Sequence, residues 1–136
     1  MSMSTPTSAR GFWKPLTTTF DAALTAVPAA LKEEGFGIIT EIDMQATLKA
    51  KLGVEFRRYR ILGACNPKFA KQALDQDPQI GMLLPCNVVL YEKDDGSVML
   101  GMIDPIEQLG GGSGAAVDAL AKDVRSGLER AMKKVS

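Results

Sequence analysis

Cys65 and Cys86 are the two thiols of the chain, and they carry its most reactive chemistry. Cys65 stands directly before Asn66-Pro67, a pair that reads as the N-cap and first residue of a helix. A thiol there lies near unpaired backbone N–H groups and the positive end of a helix dipole, which favours the thiolate. Cys86 follows Pro85 and opens an apolar run through Val88 and Leu90, where burial raises a thiol's pKa. Cys65 is therefore expected to react first. If the two segments are neighbours, both sulfurs lie at one end of a sheet. The chemistry open to such a pair is disulfide cycling, persulfide carriage or binding of a soft ion such as Cu(I), helped by Met82, Met99 or Met102. The competing reading is two small buried hydrophobes. A zinc or iron–sulfur site within one chain falls short of ligands, because the chain has two cysteines and no histidine.

The missing histidine also excludes serine–histidine and cysteine–histidine nucleophiles and histidine-held haem. Arg57, Arg58 and Arg60, followed by Lys68 and Lys71, form the main basic concentration. Alternation puts Arg58 and Arg60 on one strand face with Leu62, where the pair could meet a carboxylate or phosphate; solvated charge guarding a strand edge is the alternative. Asn66 and Asn87, each following a cysteine, complete the candidate ligand set. The stretch Gly110-Gly-Gly-Ser-Gly114 precedes a helix but lacks the Lys-Ser/Thr ending of a phosphate loop, so it reads as a flexible connection. Glu41, Asp43 and Glu92 sit near strand ends without a spacing that pairs them for acid–base work. No catalytic residue set and no cofactor are implied.

The elements that must position these residues can be traced along the chain. Residues 1–11, rich in Ser and Thr, are expected to form a flexible arm ahead of one domain spanning 12–136. Residues 12–16 read as a strand that Pro15 confines to a sheet edge. Thr19 caps a helix with Phe20, Leu24, Val27 and Leu31 at helical spacing, stopped at Gly35, with Pro28 inside it expected to kink the axis or leave a carbonyl near Leu24 to another partner. Residues 36–43 read as a strand with Phe36, Ile38 and Ile42 on one side and Ile39 and Glu41 on the other. Asp43 then caps a short helix carrying Met44, Leu48 and Leu52, closed by Gly53. Residues 59–65 are again extended. Phe69, Ala70, Ala73 and Leu74 form the stripe of a third helix that ends before Asp77-Pro78. Two apolar runs flank Lys93-Asp-Asp-Gly96 as a hairpin, and Val117 to Val135 trace a long amphipathic final helix. This is the pattern of a two-layer α+β domain on a mainly antiparallel sheet, its first and last long helices on one face.

Three segments carry a family resemblance: KEEGFGIITEIDMQATLK from Lys32, YRILGACNPKFA from Tyr59 and IGMLLPCNVVLYE from Ile80. Over about residues 12–132 the chain resembles the family called domain of unknown function 302. The resemblance implies a fold like the TATA-box-binding-protein class, strand, helix, four strands, helix, with inserted helices. It also implies a homodimer and no established activity; an apolar strand or helix surface such as that around residues 99–103 is the expected contact. The chain departs from the family's usual pattern at residues 110–114.

At 136 residues the chain is long enough to bury a core without a disulfide or metal. Its 16 basic and 16 acidic residues cancel, which removes the long-range field of a nucleic-acid binder or polybasic membrane binder. With no secretory leader pattern and no apolar run of membrane-spanning length, a cytoplasmic location is expected. The leading expectation is a non-catalytic binding or accessory protein holding a small ligand in an apolar pocket between helix and sheet, with an anionic end of that ligand meeting Arg58 or Arg60. The alternative is a thiol-based redox, sulfur-carrier or Cu(I)-handling protein using Cys65 and Cys86.

Overall fold

The computed structural model describes residues 10–109 and 112–136. The expected arm thus falls almost wholly outside the described residues, but its last position, Gly11, already opens the first strand. The elements in order are β1 (Gly11–Leu16), α1 (Phe20–Glu33), β2 (Gly37–Asp43), α2 (Met44–Leu52), β3 (Tyr59–Cys65), α3 (Pro67–Gln76), a 3-10 turn (Pro78–Leu83), β4 (Cys86–Glu92), β5 (Val98–Ile103), α4 (Pro105–Leu109) and α5 (Ala115–Lys133). The strands form one antiparallel sheet in the order β1-β5-β4-β3-β2. The architecture is α+β. Among the described residues no helix is long and apolar enough to cross a membrane.

Local chemistry accounts for the helix limits. The Thr19 hydroxyl accepts from the Ala22 N–H and starts α1, whose buried face is Phe20, Ala23, Val27, Ala30 and Leu31. At its end Gly35, with φ +88°, lets the Phe36 N–H reach the Leu31 carbonyl at 2.9 Å and the Gly35 N–H reach that of Lys32. Phe36 is thereby spent on closing the helix, and β2 begins one residue later than the apolar pattern suggests. Asp43 and Gly53 bracket α2, the latter with φ +68°. That helix buries no residue, and Leu52 of its expected stripe is well exposed.

Alternation divides the sheet into two faces. Phe12 and Leu16 of β1, Val98, Leu100 and Met102 of β5, Val88 and Leu90 of β4, and Leu62 and Ala64 of β3 meet α1 and α5 in the main core. Between Phe12 and Leu16, the Lys14 ammonium donates to the carbonyls of Met132 and Val135 at the end of α5. A bulge falls in β2. Ile38 pairs with Ala64 and Thr40 with Gly63, which leaves Ile39 as an extra residue. The parity expected for residues 36–43 is therefore reversed beyond it: Glu41 and Asp43 turn to the helical side, and Ile42 turns away from the side of Ile38.

No helix of the main core covers the other face. It carries Trp13 edge-on to Tyr91 (centroids 5.9 Å apart) and Tyr91 stacked on Tyr59 at 5.5 Å. Within the expected contact surface around residues 99–103, Met99, Gly101 and Ile103 share this face, whereas Leu100 and Met102 are core residues. A Cβ built at Gly101 would stand 2.4 Å from the Trp13 ring. Gly101→Ala is expected to push the indole off the sheet, costing about 1–3 kcal/mol. Because Trp13 is the only tryptophan, intrinsic fluorescence reads the change directly. A red-shifted emission with a lowered denaturation midpoint is expected, and an unaltered spectrum would contradict the packing.

Candidate functional site

The site forms where two cores meet. α5 gives Val124, Leu128 and Ala131 to the main core, but Val117 and Ala121, nearer its start, join Ala73, Ile80 and Leu109 in a second cluster. Between the clusters, over the ends of β3 and β4, lies a cavity of about 270 Å³. Its walls include Phe69 and Ala73 of α3, Val117 and Leu120 of α5, Phe36 and Leu109. A Cβ at Gly127 would be 2.9 Å from the Phe36 ring, so the bare backbone of α5 at that point admits the ring that forms one wall. Ile39, the bulge residue, and Leu74 are exposed apolar side chains on the same lining. Phe69, Ala70 and Leu74 of the α3 stripe are consequently less buried than a packed helix face; of that stripe only Ala73 is fully enclosed.

Cys65, Asn66 and Cys86 supply the polar atoms of the side chains lining this cavity. Cys86 pairs in register with Ala64, which puts Cys65 beside it at the end of β3. Cys86 is nine-tenths buried and Cys65 half-buried. Neither thiol has a hydrogen-bond partner among the described residues. Burial, with a further contribution from neighbouring Cys65, pushes the Cys86 thiol up to about 11. At neutral pH its thiolate fraction is then on the order of 10⁻⁴. The Asn66 side-chain oxygen accepts from the Phe69 N–H to cap α3, and its amide nitrogen lies over Gly35. Among the described residues no charged side chain lines the cavity.

The arginines lie elsewhere. Arg58 pairs with Asp21, its guanidinium 4.5 Å from the Phe20 ring centroid. Arg60 bridges Glu41 and Asp43, and Arg57 binds Asp94 at 3.0 Å. Arg57 and Arg58 precede β3 and Arg60 lies near its start, at the end opposite Cys65, so the expectation of an anionic ligand end meeting Arg58 or Arg60 does not hold for this cavity. The same pairing occupies Glu41 and Asp43. Asn87 is exposed on the open face, in a separate hollow with Trp13 and Tyr59. Met82, Met99 and Met102, expected as auxiliary sulfur donors, do not line the cavity. Among the described residues no group of three or more metal-type side chains converges.

A polar fastening was not visible in the sequence. Ser113 Oγ donates to Asp77 Oδ2 at 2.7 Å and joins the segment before α5 to the end of α3. This bond, with the Gln79 N–H, holds the Asp77 carboxyl below its usual range. Asp77-Pro78 announces the end of a helix, but nothing in the spacing announces a partner 36 residues away. Gly110 and Gly111 of the expected flexible stretch lie outside the described residues, and Gly114, with φ +99°, starts α5 without a side-chain cap.

Residues 12–135 match the family described as Domain of unknown function DUF302. An uncharacterized protein of Aquifex aeolicus (strain VF5) is 36% identical over 47 residues, which is 35% of this chain; the match spans 33% of that protein. The crystal structure of an uncharacterized conserved DUF302 protein from Bacillus stearothermophilus is similar with a TM-score of 0.86 and 25% identity, covering 95% of this chain and 100% of that one.

Timed alkylation of the native protein with iodoacetamide, followed by peptide mapping, is expected to label Cys65 before Cys86. The Cys86 rate should climb about tenfold per pH unit between pH 7 and 10, because its thiolate is still scarce throughout that range. Faster labelling of Cys86, or labelling of neither cysteine without denaturant, would overturn this order.

Proposed function

The chain belongs to the DUF302 family, whose description names no activity, and we propose that it is a non-catalytic binding domain that holds a small, uncharged, apolar ligand between α3, α5 and the ends of β3 and β4. The carrying observation is the cavity of about 270 Å³, lined among the described residues mainly by apolar side chains and by no charged one. An apolar cavity of about 150 Å³ takes benzene, so this one has room for a larger or branched molecule. Apolar ligand surface leaving water there contributes roughly 25 cal/mol per Å². An ionised ligand group would lose its hydration and find no counter-charge. A non-catalytic role is supported by the absence of histidine and by the commitment of Glu41 and Asp43 to Arg60.

The neutral fluorophore N-phenyl-1-naphthylamine tests the reading. Saturable binding is expected, weakened at least about tenfold by Ala70→Phe, which fills the cavity from α3. Arg60→Gln should leave the affinity unchanged, since Arg60 is outside the cavity. Absence of saturable binding, or dependence on Arg60 rather than Ala70, would refute it.

We further propose that two copies associate across the open sheet face, where Trp13, Tyr91, Met99 and Ile103 share an apolar patch. Obligate interfaces are typically apolar and rich in aromatic residues, which supports this reading. Light scattering at micromolar concentration is expected to give a dimer mass that falls to the monomer value in Trp13→Lys. A monomer in the unaltered protein would defeat it.

A further inference from the structure

A purely non-covalent binding role leaves the two cavity thiols without a task. They are the nucleophilic side chains on the lining, and the walls around them are uncharged. Cys65 is half-buried and is one of the residues lining the cavity; Cys86 is nine-tenths buried, with its sulfur unpartnered among the described residues. A cavity that collects apolar molecules raises their effective concentration at any reactive group on its wall.

We infer that Cys65 is a covalent capture site for uncharged, apolar Michael acceptors, α,β-unsaturated carbonyl compounds that enter the cavity as its ligands. The inference rests on the binding reading above. In the step, the Cys65 Sγ electron pair forms a C–S bond to the β-carbon. The carbon–carbon π bond breaks, and its electrons move to the carbonyl as an enolate. The proton released from the thiol is returned through water to the α-carbon. The product is a saturated thioether, no atom leaves, and no oxidant or reductant is consumed. Cys86 remains protonated near neutral pH and is passed over.

Two reagents of one reaction type separate this capture from ordinary thiol reactivity. Phenyl vinyl ketone is apolar and acrylamide is polar; each rate at Cys65, followed by intact mass and peptide mapping, is divided by its rate with N-acetylcysteine. The normalised rate for phenyl vinyl ketone is expected to exceed that for acrylamide at least about tenfold. Excess propiophenone, the saturated analogue, should suppress the preference. Ala70→Phe should lower it toward one while acrylamide labelling persists; the comparison in the unaltered protein needs no variant. A ratio near one, or an adduct mainly on Cys86, overturns the inference. If propiophenone binds saturably by ligand-detected NMR but the ratio is near one, capture falls and the binding reading stands. If propiophenone does not bind, both fall.

Discussion

One helix has to satisfy two hydrophobic clusters with a single apolar stripe, and the rest of the architecture follows from how α5 is held while doing so. Its later turns complete the core between sheet and α1, whereas its earlier turns lean on α3, α4 and the 3-10 turn. Polar contacts hold it along its length. Ser113 is tied to Asp77 before its first turn, Arg125 reaches Asp104 at 2.9 Å near its middle, and Lys14 collects the carbonyls at its end. Glu34, whose carboxyl is held low by hydrogen bonds from Lys134 and Arg130, ties the same end to the close of α1. The pairs to Glu34 are exposed and individually weak, whereas the contacts of Ser113, Arg125 and Lys14 are part-buried. Together they fasten the helix before its start, near its middle and at its end, and the cavity is the interval between the two clusters.

This arrangement explains why the lining is uncharged. The cavity interrupts a core, so its residues come from positions patterned for burial. Phe36, placed by the closure of α1, and Val117 and Leu120, placed by the helical period of α5, would be ordinary core residues if the two clusters met. The cysteines belong to the same population. Cys86 begins a strand whose alternate residues, Val88 and Leu90, are fully buried, and only the gap beside it makes its sulfur part of a surface.

Much of the fold was legible because its signals are local. Thr19, Asp43, Asn66 and Gly53 each act within four residues of themselves, and all four terminate the helices at which they were read. Pro15 marked an edge strand, which is where β1 lies. The illegible features are non-local. The β2 bulge depends on the spacing of β3 opposite it, so no alternation within residues 36–43 reveals it. The arginines illustrate the same limit: their charge was visible, but Asp21, Glu41 and Asp43 become their partners only after the sheet and α1 have assembled. Convergence of the two cysteines on one end of the sheet was readable as a possibility of topology. A pocket between helix and sheet was a general expectation, but its place between the cysteines and α5 was not readable, because a missing contact leaves no residue pattern.

The pairing of β1 with β5 has a bearing on biosynthesis. Gly11 meets Ile103 and Leu16 meets Val98, so β1 has to wait during synthesis for the last of the five described strands before it gains a neighbour. Meanwhile β2 to β5 can assemble successively as each adjoining segment is made. During that interval Phe12 and Leu16 have no sheet to enter, and the edge of β4, which β5 will cover, is open to any other extended segment. Pro15, lacking an N–H, makes the waiting strand a poor template for such pairing. A residue that looks like a flaw in the finished strand thus protects the unfinished chain.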